Sequence, residues 1–193
     1  ILAMKDIILG ASHITDLSGL DHILFLIALA ASFDLTKLGR MALLATAFTL
    51  GHSLTLLLAN LDVVRSLIVY IEFLIPLTIV ITAALQISGV SLVTSTKFAK
   101  KSIYLFTVLF GLIHGLGFSS FYRISTSGDS SFIIPLLKFN LGIEIGQLVI
   151  LLVTLSLFSL GRSLGIHERS QQLVVGGATL SLALIMVIEN WPT

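Results

Sequence analysis

The chain has 193 residues, of which 56% are hydrophobic and 11% are charged, and its formal net charge at pH 7 is +1. A soluble domain carries about 25% charged residues, so this composition excludes an ordinary soluble protein and indicates an integral membrane protein in contact with the lipid bilayer. No basic stretch with interleaved aromatic residues is present, so nucleic acid is not an expected partner. The chain has no cysteine, which excludes disulfides and thiolate metal sites and leaves imidazole, carboxylate, amide and hydroxyl groups as candidate ligands.

A membrane-spanning helix needs about 20 mostly apolar residues, and this rule predicts six spans in an all-α, polytopic membrane helix bundle that forms a single transmembrane domain. The first ten residues are too few to cross and include two charges, so we expect them at the interface or half inserted. The segment 11–19 is polar and turn-rich. The first span is itself short, so the segment before it would help to fill the bilayer. The predicted spans are 20–33, 40–60, 64–87, 102–120, 132–160 and 173–188.

Lysine and arginine residues in the short loops predict the orientation, because they concentrate on the cytoplasmic side of membrane proteins. Both termini are predicted to lie on the opposite, outer side. The chain starts at Ile1 without a basic-then-apolar leader, and we expect it to be processed or truncated, with an extramembrane N-terminal region missing. The basic residues on the predicted cytoplasmic side are Lys37, Arg40, Lys97, Lys100, Lys101, Arg162 and Arg169.

Several ionisable side chains lie inside the apolar spans, where they are costly and commonly mark a site or a pathway. At a helix rise of about 1.5 Å per residue, His52 and Glu72 lie about 12 Å below the outer ends of their spans, and His114 about 9 Å below its own. His22 stands at the outer mouth of the first span, and Glu144 lies near the middle of the fifth. All of these groups fall in the outer half or at the midplane, so we expect them to meet in one pocket.

The fifth span carries a polar face, because Asn140, Glu144 and Gln147 are spaced by four and three residues. Three polar side chains cannot face lipid cheaply, so this face is expected to point into the bundle. In the second span, Thr49 shares a face with His52. The candidate metal ligands of the predicted pocket are His22, His52, His114, Asp21, Glu144 and His13. The residues expected to support these ligands without binding the ion are Asn140, Gln147, Ser53 and Thr49.

Each of these residues also has an ordinary structural explanation. A histidine in a membrane helix can simply hydrogen-bond to a neighbouring helix, and His13 is equally compatible with a solvated loop. Asp21 can cap the first span or orient His22 as a ligand. Glu72 can be a proton site in the core or a partner for Arg65. Serine in a membrane helix is more often a packing residue than a nucleophile.

Four stretches of the chain resemble the HupE/UreJ family of small membrane proteins, in particular its second subfamily. They are GLDHILFL (19–26), FTLGHSLTL (48–56), LFGLIHGLGF (109–118) and FNLGIEIGQL (139–148), and they occupy four of the six predicted spans in the order and spacing of the family. The resemblance implies a multi-pass protein of the inner (plasma) membrane, often with an additional N-terminal region outside the membrane. It also implies a nickel or cobalt permease that serves metalloenzyme assembly. The motif positions are Asp21, His22, His52, His114 and Glu144.

The ligand set suits zinc, nickel, cobalt or Cu(II) rather than Cu(I), because it contains imidazole and carboxylate but no thiolate. The first functional hypothesis is therefore a permease for a divalent transition-metal ion. The ion would enter at Asp21 and His22 and be held among His52, His114 and Glu144. It would pass inward after a rearrangement near Pro76 and the glycines of the fourth span. The inner half of the spans offers no second polar site, so a pathway would have to rely on Thr78, Thr82, Gln86 and Thr107.

The second hypothesis is an intramembrane zinc hydrolase acting on a lipid or a lipid-linked peptide. Zinc held by three protein ligands with an open position activates water. Glu144 or Glu72 would act as the general base, Ser53 is a candidate nucleophile, and Asn140 or Gln147 would stabilise the oxyanion. A one-sided pocket without an exit suits such an enzyme. A metal sensor or an accessory subunit without transport is the third hypothesis.

Overall fold

A computed structural model describes residues 2–31, 33–61, 68–89, 97–126 and 132–192. These residues form helices and no strands, so the predicted all-α class is confirmed. A 3₁₀ turn precedes the third helix. The seven α-helices of the described residues are α1 (Leu2–Ile14), α2 (Asp21–Ala30), α3 (Leu38–Asn60), α4 (Ile68–Ile87), α5 (Lys97–Thr126), α6 (Ile133–Ser163) and α7 (Glu168–Glu189).

Five of these helices are long and apolar enough to cross a membrane, which confirms a multi-pass helical bundle. The predicted first span, 20–33, differs: its helix α2 has only ten residues, or about 15 Å, which is about half of a 30 Å hydrocarbon core. The five long segments are Leu35–Asn60, Tyr70–Ile87, Ser102–Ser119, Ile133–Ser163 and Glu168–Glu189.

Of the first ten residues, expected at the interface, residues 2–10 belong to α1, which packs along α6. A methyl group at Gly10 would overlap the carbonyl oxygen of Phe139, and Gly146 faces Ile14, so the two helices run parallel with their backbones in contact. The helix continues to Ile14, well into the segment 11–19 that the sequence predicts to be turn-rich. The reason is tertiary: close contact with α6 compensates for the weak helix propensity of the glycine and serine there.

Helix α2 completes the crossing that α1 begins. It runs antiparallel to α3, because His22 lies beside His52 while Phe25 stacks on Phe48 with ring centroids 5.2 Å apart. Since α4 and α5 intervene between α3 and α6, α3 and α6 also point in opposite directions. Therefore α1 and α2 both run parallel to α6, and together they form one crossing that the loop 15–20 interrupts.

The two ends of the bundle differ in charge. At the end where α3 begins and α4 ends, Arg169 donates hydrogen bonds to the backbone carbonyls of Gln86, at 3.2 Å, and Ile87. A cation is favourable at a helix C-terminus because of the helix dipole. We call this the basic end; α1 begins and α7 ends at the opposite end. The basic end includes Lys37, Arg40, Arg162 and Arg169, and its cytoplasmic location stays a prediction.

A close crossing between two long helices joins α3 and α5. A methyl group at Gly51 would overlap the carbonyl oxygen of Val108, and one at Gly111 would overlap that of Phe48. Small residues permit such close approach of membrane helices. One turn further along α5, Gly115 faces the backbone of His52. The glycines therefore fix the distance between two helices that each carry a histidine at the contact.

Candidate metal site

Three histidines from three helices converge at the interruption between α1 and α2. His13 lies in the last turn of α1, His22 in the first turn of α2 and His52 in the middle of α3. One ring nitrogen of each lies within 4.8 Å of the others. Nitrogen ligands of a tetrahedral metal ion, at about 2.1 Å from it, lie about 3.4 Å from one another. A contraction of little more than an ångström would bring these nitrogens to metal-binding distances.

The helix interruption is what places His13 and His22 together. The chain leaves α1 just after His13, turns through the loop 15–20, and enters α2 just before His22. Within the loop, Asp16 accepts hydrogen bonds from the Ser18 backbone N–H at 2.9 Å and from its hydroxyl at 2.7 Å. This local turn joins the two helices without reversing the chain direction and brings the two histidines together, with ring centroids 4.7 Å apart.

Two imidazoles have one nitrogen occupied by a hydrogen bond. The Nδ1 of His22 lies 3.3 Å from the carboxylate of Asp21, and the Nδ1 of His114 lies 2.8 Å from the carbonyl oxygen of Phe110. Since each partner is an acceptor, the hydrogen bonds assign the proton to Nδ1 and leave Nε2 with its lone pair. A histidine that donates one N–H to a carboxylate or carbonyl is the common arrangement at metal sites.

The unused ring nitrogens are buried. His22 is 4% exposed, His52 0% and His114 1%. Within the described part of the chain, no hydrogen-bond partner meets the Nε2 atoms of His13, His22 and His114, or either ring nitrogen of His52. Buried polar atoms without partners are costly, and their concentration at one point indicates a place built for a ligand. His114 stands beside the three-histidine group, with its ring 5.1 Å from that of His22.

A cavity of about 750 Å³ opens beside the histidines. Its lining includes His13, His22 and His114, together with the carboxylate residues Asp16, Asp21 and Glu72. A cleft lined by one sign of charge raises the local concentration of the opposite ion, so this cavity favours cations. Asp16 was not selected as a candidate from the sequence, although it lies only three residues after His13.

Aromatic rings close the site on the side of the basic end. Phe25 lies between Phe48 and Phe110, at centroid distances of 5.2 and 5.8 Å. His114 packs against two of these rings, at 5.1 Å from Phe48 and 5.8 Å from Phe25. We call Phe25, Phe48 and Phe110 the aromatic plug. It blocks the direct route from the histidines between α2, α3 and α5.

The structure places Glu144 apart from the histidines. It lines a second cavity, of about 430 Å³, between α3 and α6, together with Thr49, Ser53 and Asn140. Beside this group, the Thr49 hydroxyl donates a 3.0 Å hydrogen bond to the side-chain oxygen of the buried Gln147. The candidate residues of the fifth span thus share one face, as their spacing predicts, but that face meets α3 and not the three-histidine group.

The sequence predictions also concern Glu72 and Arg65. Glu72 is exposed and lies on the wall of the larger cavity; its suggested partner Arg65 lies outside the described residues. The structure therefore brings together a smaller set than the sequence suggested, and the role of each member as a ligand stays a prediction. This set is His13, His22 and His52, with Asp21, His114 and Glu72 beside them.

The profile of one protein family, HupE / UreJ protein, matches residues 2–191. The chain belongs to the HupE/UreJ family. This membership confirms the resemblance carried by the four sequence blocks, all of which lie inside the match, and relates the protein to nickel and cobalt transport across membranes. No curated protein and no solved structure matches this HupE/UreJ chain.

Proposed function

We propose that this HupE/UreJ-family protein is a permease of the inner membrane for a divalent transition-metal ion, with nickel and cobalt as the first candidates. Its cargo would bind among His13, His22 and His52. The observation that carries the proposal is the convergence of these three imidazoles beside an open cavity. One ring nitrogen of each lies within 4.8 Å of the others, and each ring has a buried nitrogen without a hydrogen-bond partner among the described residues. Neutral imidazole without thiolate suits these ions and zinc.

The neighbouring groups support cation binding. Asp21 accepts the His22 N–H, which fixes the ring and raises the basicity of the opposite nitrogen. His114 offers a fourth nitrogen next to His22. The carboxylates of Asp16 and Glu72 line the approach and attract a cation from water.

The interrupted crossing supports transport over permanent storage. Non-helical backbone at membrane depth is tolerated only where it lines a water-filled cavity or is buried in protein, and three residues of the connection between α1 and α2 line the cavity of about 750 Å³. Discontinuous helices at the ion site are a recurrent feature of secondary transporters. We infer that this cavity admits water and the hydrated ion to the three histidines.

The first experiment measures binding. The purified full chain in detergent is titrated with Co²⁺, whose visible absorption reports nitrogen ligation, and with Ni²⁺. His52→Ala is expected to weaken binding by about 100-fold or more, since even groups behind the ligands contribute 10–100-fold. His167→Ala is the matched control, because His167 is exposed at the start of α7. Equal binding by wild type and His52→Ala would contradict the proposed site.

The second experiment measures movement of the ion. Wild-type protein in sealed vesicles with a trapped metal-sensitive dye is expected to take up Co²⁺ or Ni²⁺, whereas His52→Ala is not, and His167→Ala should match the wild type. Stoichiometric binding without any uptake would refute the permease.

A second candidate function, intramembrane hydrolysis, is favoured by the size of the larger cavity. About 750 Å³ is the volume of a small-molecule pocket, and Glu72 lies on its wall with the histidines as a candidate base. A zinc ion bound by three histidines with an open position would supply activated water. Hydrolysis of a lipid ester or lipid-linked peptide by the zinc-loaded protein, without metal uptake, would favour this function over the permease.

A further inference from the structure

A layer of buried hydroxyl groups lies between the histidines and the basic end. It contains Thr82 of α4, Thr107 of α5 and Thr179 of α7, which are 4%, 3% and 2% exposed. We call these three residues the inner polar layer. Polar side chains inside an apolar bundle are costly and most often serve a pathway or a site.

Helix contacts place the three threonines at one depth. Gly117 of α5 faces both Ile71 and Ile75 of α4, which places it at the level of about residue 73 of α4. Counting along the antiparallel pair from this level puts Thr107 within about one residue of Thr82. On the other side of α4, Phe73 packs against Trp191 and Gln86 meets Gly176. This antiparallel register brings Thr179 within about two residues, or 3 Å, of the same depth.

The same count relates the layer to the three-histidine group. His114 lies at the depth of residue 76 of α4, so the inner polar layer is about 9 Å nearer the basic end, and Gln86 about 15 Å nearer. Thr78 lies between, buried, on the same face of α4 as Thr82 and Gln86, since these residues are spaced by four. α4 thus carries a polar stripe from the cavity to the basic end, past the aromatic plug.

The hydroxyls of Thr78, Thr82 and Thr107 are arranged to accept and not to donate. The Thr78 hydroxyl donates to the Ile75 carbonyl at 2.7 Å, that of Thr82 to the Thr78 carbonyl at 2.9 Å, and that of Thr107 to the Ile103 carbonyl at 2.8 Å. Since each hydroxyl has one proton, only oxygen lone pairs remain for any other partner. Such oxygens suit a cation and disfavour an anion.

Gln86, at the end of this stripe nearest the basic end, provides separate evidence for a bound ligand. It is 2% exposed, and neither its side-chain oxygen nor its nitrogen has a hydrogen-bond partner among the described residues. Leaving both ends of a buried amide unpaired destabilises the fold, and a leucine of similar volume would avoid that cost. The amide oxygen could instead coordinate a cation that has lost part of its water shell.

We propose that Thr82, Thr107 and Thr179, together with Gln86, form a second, oxygen-lined station that coordinates the divalent cation on its way from the histidines to the basic end. This inference rests on the proposed permease function. The station binds more weakly than the histidines, because neutral oxygens are poorer ligands than imidazole for these metals. Weak binding there lets the ion leave, as conduction through several sites requires.

The test compares uptake with binding in the full chain. Gln86→Leu and Thr82→Val are reconstituted in sealed vesicles with a trapped Co²⁺-sensitive dye, and Co²⁺ binding is measured on the same preparations in detergent. Gln86→Leu is expected to lower the initial rate of uptake by about tenfold or more, because loss of an oxygen ligand raises the barrier for a partly dehydrated ion. Co²⁺ affinity at the histidines should change by less than about twofold in both variants, since additivity holds for distant sites.

Ser181→Ala is the matched control, because Ser181 lies on α7 at the depth of Thr82 but is exposed. It should transport as the wild type does. Unfolding temperatures check the fold, and Gln86→Leu is expected to unfold no earlier than the wild type. If it does not fold, Thr82→Val, which only replaces a hydroxyl by a methyl group, carries the test.

The outcomes separate the two proposals. Wild-type uptake that persists undiminished in both variants overturns the station and leaves the permease standing. Absence of uptake by wild type that binds Co²⁺ overturns both. Loss of uptake with retained binding in the two variants, and normal uptake by Ser181→Ala, supports the station.

Discussion

Two helix crossings in this molecule have the same backbone contact but different side chains beside it. Where α3 meets α5, Gly51 contacts the backbone of α5, and Gly111 and Gly115 contact that of α3. Where α1 meets α6, Gly10 contacts the backbone of α6 in the same way, and Gly142 contacts that of α1. Both are parallel pairs, and both carry glycines spaced by four on the second helix.

The difference lies in the residues next to the glycines. In the α3·α5 crossing, His52 follows Gly51, and His114 precedes the second glycine of GLIHG. In the α1·α6 crossing, the equivalent positions hold Ala11 and Ile145. The glycines therefore set the distance between helices, whereas their neighbours decide whether the crossing presents imidazole or hydrocarbon. α1 supplies its histidine two residues later, at the helix interruption.

The largest effect is expected from breaking the crossings themselves. Gly51→Ala and Gly10→Ala should each destabilise the fold by about 1–3 kcal/mol or more, because the added methyl group would overlap a backbone carbonyl oxygen that cannot give way. Thermal unfolding followed by circular dichroism measures this. Only Gly51→Ala moves two histidine-bearing helices directly, so it should weaken Co²⁺ binding more than Gly10→Ala; the reverse order would contradict the comparison.

The next effect concerns His22, a candidate ligand on α2 that belongs to neither crossing. Asp21→Asn removes the carboxylate that orients the His22 ring at 3.3 Å and should weaken Co²⁺ affinity by about 10–100-fold. The expected change in unfolding temperature is small, which separates this effect from a general loss of stability. Unchanged affinity would show that His22 needs no such partner.

A smaller change in Co²⁺ affinity is expected from substitutions at His114 and Glu144, which lie in equivalent turns of the two crossings. His114→Ala, in GLIHG, should weaken Co²⁺ binding by about tenfold, because His114 stands next to the three-histidine group. Glu144→Gln, in GIEIG, should change it less than about twofold, since Glu144 lines the other cavity. Isothermal titration of both variants compares them. A larger effect at Glu144 would return that carboxylate to the metal site.

The link between the two crossings predicts a change in stability alone. Thr49→Val removes the hydrogen bond from α3 to Gln147 of α6 and leaves the buried amide without that partner. The expected loss is about 1 kcal/mol, within the range measured for interhelical hydrogen bonds in membranes. Thermal unfolding should show it while Co²⁺ affinity stays unchanged.

The smallest effect is expected at a glycine outside both crossings. Nothing lies within 4 Å of a methyl group placed at Gly177, so Gly177→Ala should raise stability by about 0.5–1 kcal/mol through helix propensity. A loss of stability would contradict the expectation that helix propensity alone determines the effect of a methyl group at Gly177.

Part of the site follows from local sequence. Apolar runs of the length of a bilayer indicated a helical membrane bundle, and four sequence blocks indicated the HupE/UreJ family; both are confirmed. The depth count along helices placed His52 and His114 at similar levels, and in the structure both lie at the α3·α5 contact. These inferences needed only helix rise and the cost of polar groups in lipid.

The remainder depended on how helices face one another. His13 reaches the three-histidine group because contact with α6 extends α1 through a stretch that would otherwise be a loop. Glu144 does not reach the three-histidine group. It precedes Ile145, the residue of α6 equivalent to His114, and a shift of one residue rotates the side chain by about 100° around the helix axis. Rotation about the helix axis and the packing partner of each face arise from contacts between distant segments. Sequence alone therefore determined the class, the family and the depth of the polar groups, and the tertiary structure decided which of them meet.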